Sequence, residues 1–203
     1  MDIKENLQII KNKISLAEEK ASRNKDSVKL MAVSKFHSLE EIEQAIENGQ
    51  FLFGENRVQE ATEKFTELKQ KYPGIILHMI GHLQSNKVRN AVKIADCIQS
   101  IDRIELLEEI EKECSKQNKT IQILFEMHTG EESKSGFENE SKIQEALELF
   151  KANKFPHIIP KGFMTMAPFT NDESLIRKSF VTLRELSVKM QTLFPMYDLH
   201  ELS

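Results

Sequence analysis

Short apolar runs alternate with segments of helical period along nearly the whole chain, and this alternation constrains the fold more than any other feature. Residues 29–33 (KLMAV) predict a short buried strand. Ser38 with Glu41 forms a capping box ahead of Leu39, Ile42, Ala45 and Ile46, and Gly49 follows as the residue that ends that helix. The unit then repeats. Strands are predicted over 51–53, 76–80, Cys97–Ile101, 120–126 and 162–166, with helices over about 57–69 and 86–93 between them. Further helices carry Leu106, Leu107, Ile110 and Cys114, then Ile143, Ala146, Leu147 and Phe150. Ile3, Leu7, Ile10, Ile14 and Ala17 mark a helix before the first strand. Ile176, Phe180, Leu183 and Met190 are the expected buried stripe of a long helix from about Asp172, and YDLHELS opens a seventh strand.

Strands joined by helices imply a parallel sheet with helical crossovers. An open dinucleotide-binding sheet places a glycine-rich turn after its first strand. Here that turn is Ser34-Lys35-Phe36-His37-Ser38, with no glycine. The remaining α/β solution is a TIM-type (β/α)8 barrel, which uses eight strands and about 250 residues. A chain of 203 residues with about seven strands predicts an incomplete barrel, a single domain over 1–203.

Composition removes several classes of function. The chain has 28 Lys+Arg against 32 Asp+Glu and a net charge of -4, so no nucleic-acid partner is expected. The apolar stretch at 75–80 is interrupted by His78 and is too short to span a membrane. The N-terminus, MDIKENLQII, is charged from its second residue and does not read as a signal peptide. Cys97 and Cys114 are too few for a disulfide framework and read as reduced thiols of a cytoplasmic protein.

Barrel chemistry sits where the strands end at their C-termini. Lys35 follows the first strand. Desolvation or a nearby cation makes a lysine amine nucleophilic, able to condense with an aldehyde; the other reading is a solvated loop lysine. Asn56 of Gly54-Glu55-Asn56 either lines a pocket or caps the next helix. GHLQSNK after the third strand is either an anion cradle of backbone amides or an ordinary turn. His78 and His82 straddle a strand end, a spacing that suits a metal only on a helix, so no metal is expected. No GxSxG elbow accompanies the serines. Glu131, Glu132 and Lys134 crowd a long loop as acid–base groups or solvated charges.

Taken together, AVSK, FGEN with VQE, H-M-IGHLQSNK, the Ser100 to Asp102 stretch, EESKSG and GFMTMAPFT resemble the pyridoxal-phosphate homeostasis proteins, relatives of the N-terminal barrel of alanine racemase. The matches run in order over nearly the whole chain from about residue 29. The resemblance implies a barrel of the alanine-racemase N-terminal type that binds pyridoxal 5'-phosphate (PLP). Lys35 matches the lysine that carries PLP as a Schiff base, and Asn56 the asparagine of the GEN motif near the cofactor. It implies binding, buffering and delivery of PLP, with PLP-dependent apo-enzymes as recipients, and assigns no catalytic residue. The alternatives are a PLP-dependent amino-acid racemase and a scaffold that binds no PLP. This chain departs from the family at Glu126-Met127-His128-Thr129, where a sequence like QVNTS is usual. It also lacks the MGMS and GxTxVRIGTxIFG-like segments that follow LS in the family. They carry phosphate-binding residues, so the expectation is that those residues lie beyond Ser203 and that this chain holds PLP weakly.

Overall fold

Residues 2–129 and 136–203 are described in a computed structural model. They form two units, Met1–Leu77 and His78–Ser203, with the division falling inside a strand. The first unit contains helix α1 (Ile3–Lys20), strand β1 (Ala32–Val33), α2 (Leu39–Glu47), β2 (Leu52–Glu55), α3 (Val58–Lys71) and the start of β3 (Ile76–Met79). β1 and β2 pair in parallel, Ala32 opposite Phe53 and Val33 opposite Gly54. Ile76 N–H donates to the Phe51 carbonyl at 2.9 Å and sets β3 beside β2. The predicted capping box is present: Ser38 Oγ accepts from Glu41 N–H while the Glu41 carboxylate accepts from Ser38 N–H. Gly49 adopts φ +79°, the left-handed conformation that turns the chain out of α2. Phe53 and Phe65 pack with tilted rings, centroids 5.6 Å apart, and are buried with Ile42, Ile46, Ala61 and Leu68.

The second unit continues β3 through a single 3-10 turn (Ser85–Lys87) into α4 (Val88–Ile94), β4 (Cys97–Ile101), α5 (Ile104–Gln117), β5 (Ile121–Glu126), α6 (Glu140–Lys151), β6 (Ile158–Met164), α7 (Glu173–Leu193) and β7 (Glu201–Leu202). Successive strands pair in parallel, β3 with β4, β4 with β5, β5 with β6 and β6 with β7. Within each unit the strand order follows the chain with no reversal. That is the order of a barrel wall, whereas a doubly wound sheet reverses at a switch point. Every residue of β4 is buried, as expected where helices and neighbouring strands cover both faces. Phe125 lies within about 6 Å of Phe137, Phe150 and Phe163, forming the aromatic core of this unit. Lys119 Nζ closes the end of α4 by donating to the carbonyls of Val92 at 2.6 Å and Ala95 at 2.7 Å. Among the described residues, no helix is long and apolar enough to cross a membrane.

Four details differ from expectation. β1 covers only Ala32–Val33, because Gln50 Nε2 takes the Leu30 carbonyl at 2.8 Å in place of a ladder partner. β6 begins at Ile158, four residues before the expected start at 162. The register shifts there, Ile123 opposing Pro160 and Leu124 opposing Gly162, so Lys161 is a bulge that lets proline sit within the strand. In α1 only Leu7 of the predicted stripe is fully buried, together with Glu18. In α7 the buried face carries Ser179, Leu183, Leu186, Ser187 and Met190, while Phe180 is exposed. The Ser187 hydroxyl is satisfied by the Leu199 carbonyl at 2.8 Å, which makes a serine acceptable where periodicity predicts an apolar residue.

Candidate functional site

The two residues predicted to meet the cofactor both lie in the first unit, each one step past the end of a parallel ladder. Ser34 N–H donates to the Gly54 carbonyl at 3.0 Å, extending β1–β2 pairing by one residue. Lys35 follows Ser34, and Asn56 follows Glu55 at the end of β2. Pairing between these strands therefore brings the turn bearing Lys35 and the one bearing Asn56 to the same end of the ladder. Lys35 is half-buried, and its amine has no hydrogen-bond or ion-pair partner among the described residues. Backbone geometry restrains the turn that follows. Phe36 holds φ +67°, a left-handed conformation that costs a non-glycine residue about 1–2 kcal/mol. His37 Nδ1 lies 3.3 Å from Glu41 Oε2. The Ser38 backbone N–H, with the His37 ring adding to it, holds the Glu41 carboxyl below the usual carboxylate range. Thus the segment from Ser34 to Leu39 is anchored by a ladder at one end and a capped helix at the other.

Asn56 is half-buried and does not cap α3. The cap position is Arg57, whose side chain makes no capping bond and instead reaches Glu60 at 3.5 Å. The capping alternative for Asn56 is thereby removed, and its amide is left uncommitted among the described residues. Tyr72, at the far end of α3, donates its hydroxyl to Glu43 Oε1 at 3.4 Å.

Three residues given no role in the sequence analysis form a polar network next to it. The Ser34 hydroxyl donates to Glu55 Oε1 at 2.8 Å. Lys64 Nζ, from α3, donates to the Ser34 carbonyl at 3.0 Å and to Glu55 Oε1 at 3.2 Å. Glu55 is completely buried. Sequence held a signal for it: an acidic residue closes the otherwise uncharged run FLFGE, and Lys64 falls beside the apolar stripe Ala61, Phe65, Leu68.

In the second unit, side chains hold the carbonyls and the His82 ring of the GHLQSNK segment. Ser100 Oγ donates to the Gly81 carbonyl at 2.7 Å, and His82 Nδ1 lies 2.9 Å from Asp102 Oδ2. Arg103 pairs with Asp102 at 2.6 Å and donates to the Leu83 carbonyl at 3.4 Å. His78 contacts Gln99 through Nδ1 at 2.7 Å, so the two histidines have separate partners. The following helix has only seven residues. At the end of β5, Thr165 Oγ1 donates to the Met127 carbonyl at 2.9 Å and lies 2.6 Å from Thr129 Oγ1. Glu131, Glu132 and Lys134 lie outside the described residues. Both cysteines are free and buried, and burial pushes their thiols up, that of Cys114 to about 11.

Residues 5–197 match the family described as alanine racemase, N-terminal domain. The chain is 31% identical over 204 residues to a pyridoxal phosphate homeostasis protein of Pasteurella multocida, covering 100% of this chain and 86% of that one. A protein of the same name from Vibrio alginolyticus is 33% identical over 199 residues, covering 97% and 84%. Among solved structures, PipY of Synechococcus elongatus with PLP bound superposes with a TM-score of 0.82 at 29% identity, covering 99% of this chain and 87% of that one.

Proposed function

Since the chain belongs to the alanine racemase N-terminal domain family, with full-length likeness to its pyridoxal phosphate homeostasis members, we propose that it binds PLP in the service of PLP homeostasis. When bound, PLP supplies an aldehyde with which a lysine amine condenses, releasing water. Lys35 is the attachment point in this reading, and Asn56 is the neighbouring polar contact. The observation that carries it is the pairing of an uncommitted half-buried amine with an uncommitted half-buried amide at one end of the β1–β2 ladder. Both side chains fit the task because neither is spent on structure: Lys35 makes no ion pair among the described residues and Asn56 does not cap α3. The parallel ladder fixes the backbone beneath them, so the amine is presented from a rigid base.

The reading extends to residues 1–203 acting as one cofactor-binding domain in the cytoplasm. Its partners are PLP itself and the PLP-dependent apo-enzymes that receive it. The protein acts as a carrier rather than a catalyst, so incubation with L-alanine and PLP is expected to leave the amino acid's chirality unchanged. Borohydride reduction in the presence of PLP, followed by peptide mapping, tests the attachment. The expected label is on Lys35, with Lys35→Ala removing it. Stoichiometric label on another lysine, with Lys35 unmodified, overturns the assignment.

A further inference from the structure

The residues just before Lys35 and Asn56 make a buried network that PLP attachment does not use. Glu55 is completely buried, and Lys64 keeps only 15% of its side chain exposed. One oxygen of Glu55 collects both donors, the Ser34 hydroxyl at 2.8 Å and Lys64 Nζ at 3.2 Å. The other, Oε2, is buried with no hydrogen-bond partner among the described residues. Lys64 also holds the Ser34 main-chain carbonyl at 3.0 Å and lies 3.5 Å from Glu60 Oε2 on its own helix.

As a source of stability this arrangement is poor. Removing two charges from water costs several kcal/mol per ion, and well-packed apolar residues of similar volume are often as stable or more so. A carboxylate left with one oxygen unpartnered makes the balance worse. What the network supplies is geometry. Ser34 and Glu55 reach α3, so they lie on the helix-covered face of the β1–β2 ladder. Lys35 and Asn56 are the residues that come next, in the turns just beyond the ladder. Glu55 therefore acts at the base of the two turns that carry Lys35 and Asn56. Through its bond to Ser34 and the Lys64 bridge, it ties the last paired residue of β1 to the last residue of β2.

We propose that Ser34, Glu55 and Lys64 are positioning residues that fix the aim of the Lys35 amine and its separation from the Asn56 amide. The proposal rests on the reading of Lys35 as the attachment point. It assigns none of the three a contact with the ligand. Loosening the tie lets the Ser34–Lys35 peptide pivot about the β1 end, so the amine samples orientations that do not meet the aldehyde.

Ser34→Ala is the mild test, because it removes one hydrogen bond and leaves the Glu55–Lys64 pair intact. Glu55→Gln is the stronger one, and Ser34→Thr retains the hydroxyl as a rescue. Each full-length protein is exposed to PLP, and separately to pyridoxal, which lacks the phosphate. After borohydride reduction, label at Lys35 is compared with label at the other lysines across a pH series, at a temperature where cooperative unfolding shows the variant folded. A merely structural role would leave that distribution and its pH profile unchanged in a folded variant. The expected result is a fall of about tenfold in attachment equilibrium at Lys35 for Ser34→Ala, the factor that one lost charge-assisted hydrogen bond corresponds to. It should appear with both aldehydes, and Ser34→Thr should restore it. If Glu55→Gln does not fold, Ser34→Ala decides. A folded Ser34→Ala protein with the wild-type share of label at Lys35 and an unchanged pH profile overturns the proposal. Absence of Lys35 label in the wild-type protein instead overturns the attachment reading, and the positioning role with it.

Discussion

Replacing Gly162 with alanine tests the β6–β7 pairing where the two strands approach most closely. A Cβ at this position would lie 1.9 Å from the Glu201 carbonyl oxygen and 2.8 Å from both its carbonyl carbon and its nitrogen. Ordinary non-bonded contact begins near about 3.5 Å, so β7 must part from β6 by more than about 1 Å. That displacement disrupts the Ser203 N–H bond to the Phe163 carbonyl at 3.0 Å and the Thr165 N–H bond to the Ser203 carbonyl at 3.1 Å. The two bonds together contribute about 2 kcal/mol. Gly162 also holds φ +150°, where a side chain costs a further 1–3 kcal/mol or so. The expected loss is about 3–5 kcal/mol, equivalent to a Tm lower by roughly 6–20 °C for a chain of this size. Gly49→Ala is the control: φ is +79° but nothing lies within 4 Å of the added Cβ. Strain alone there costs about 1–2 kcal/mol. Thermal unfolding followed by circular dichroism gives the Tm, and amide exchange at Ser203 reports the ladder. A Gly162→Ala protein with wild-type Tm and a protected Ser203 amide would refute the reasoning.

Burial pushes the Cys114 thiol up to about 11, so about one molecule in a thousand carries the thiolate at pH 8. Iodoacetamide should leave Cys114 unmodified in the native protein and label it in urea; rapid native labelling would contradict its burial. Glu18 accepts from the Val28 N–H at 2.7 Å, the Ser27 hydroxyl at 3.1 Å and the Asp26 N–H at 3.2 Å, and the Val28 bond foremost holds its carboxyl below the ordinary 4.5. Because the folded-state value is depressed, the stabilisation is present above about pH 4.5 and is lost as pH falls through the folded value. Urea midpoints measured from pH 7 to pH 3 should decline less steeply for Glu18→Gln than for the wild type, and coincident slopes would remove Glu18 from the acid response.

How much of this was legible in the sequence depends on whether the signal was local. β4 matches its predicted span, Cys97–Ile101, because five apolar or small polar residues sit between clear helical segments. The α2 capping box and the turn at Gly49 need only residues within one helical turn, and both were readable. β6 was read short because Pro160 and Lys161 break the apolar run, and only the partner strand shows that a bulge absorbs them. Of the α7 stripe, Leu183 and Met190 are buried as expected and Phe180 is not; Ser187 joins the buried face because it is satisfied by Leu199, twelve residues on. Near the β1–β2 end, position after a strand singles out Lys35 and Asn56, and the resemblance implies their roles. The sequence assigns no role to Glu55 or Lys64, because a buried ion pair depends on a strand and a helix folding together.

Helix α3 begins without a side-chain cap. Its cap position holds Arg57, a cation at the end of the helix whose partial charge is positive. Asn56, a residue type well suited to capping, stands one place too early, and its amide has no partner among the described residues. An aspartate or serine at position 57 would satisfy an orphan N–H of the first turn and replace the unfavourable charge, a gain of about 1 kcal/mol. Thermal robustness and ligand chemistry are therefore separable here at adjacent positions. An engineer can harden the helix at 57 while leaving Asn56 in place for the cofactor contact proposed for it.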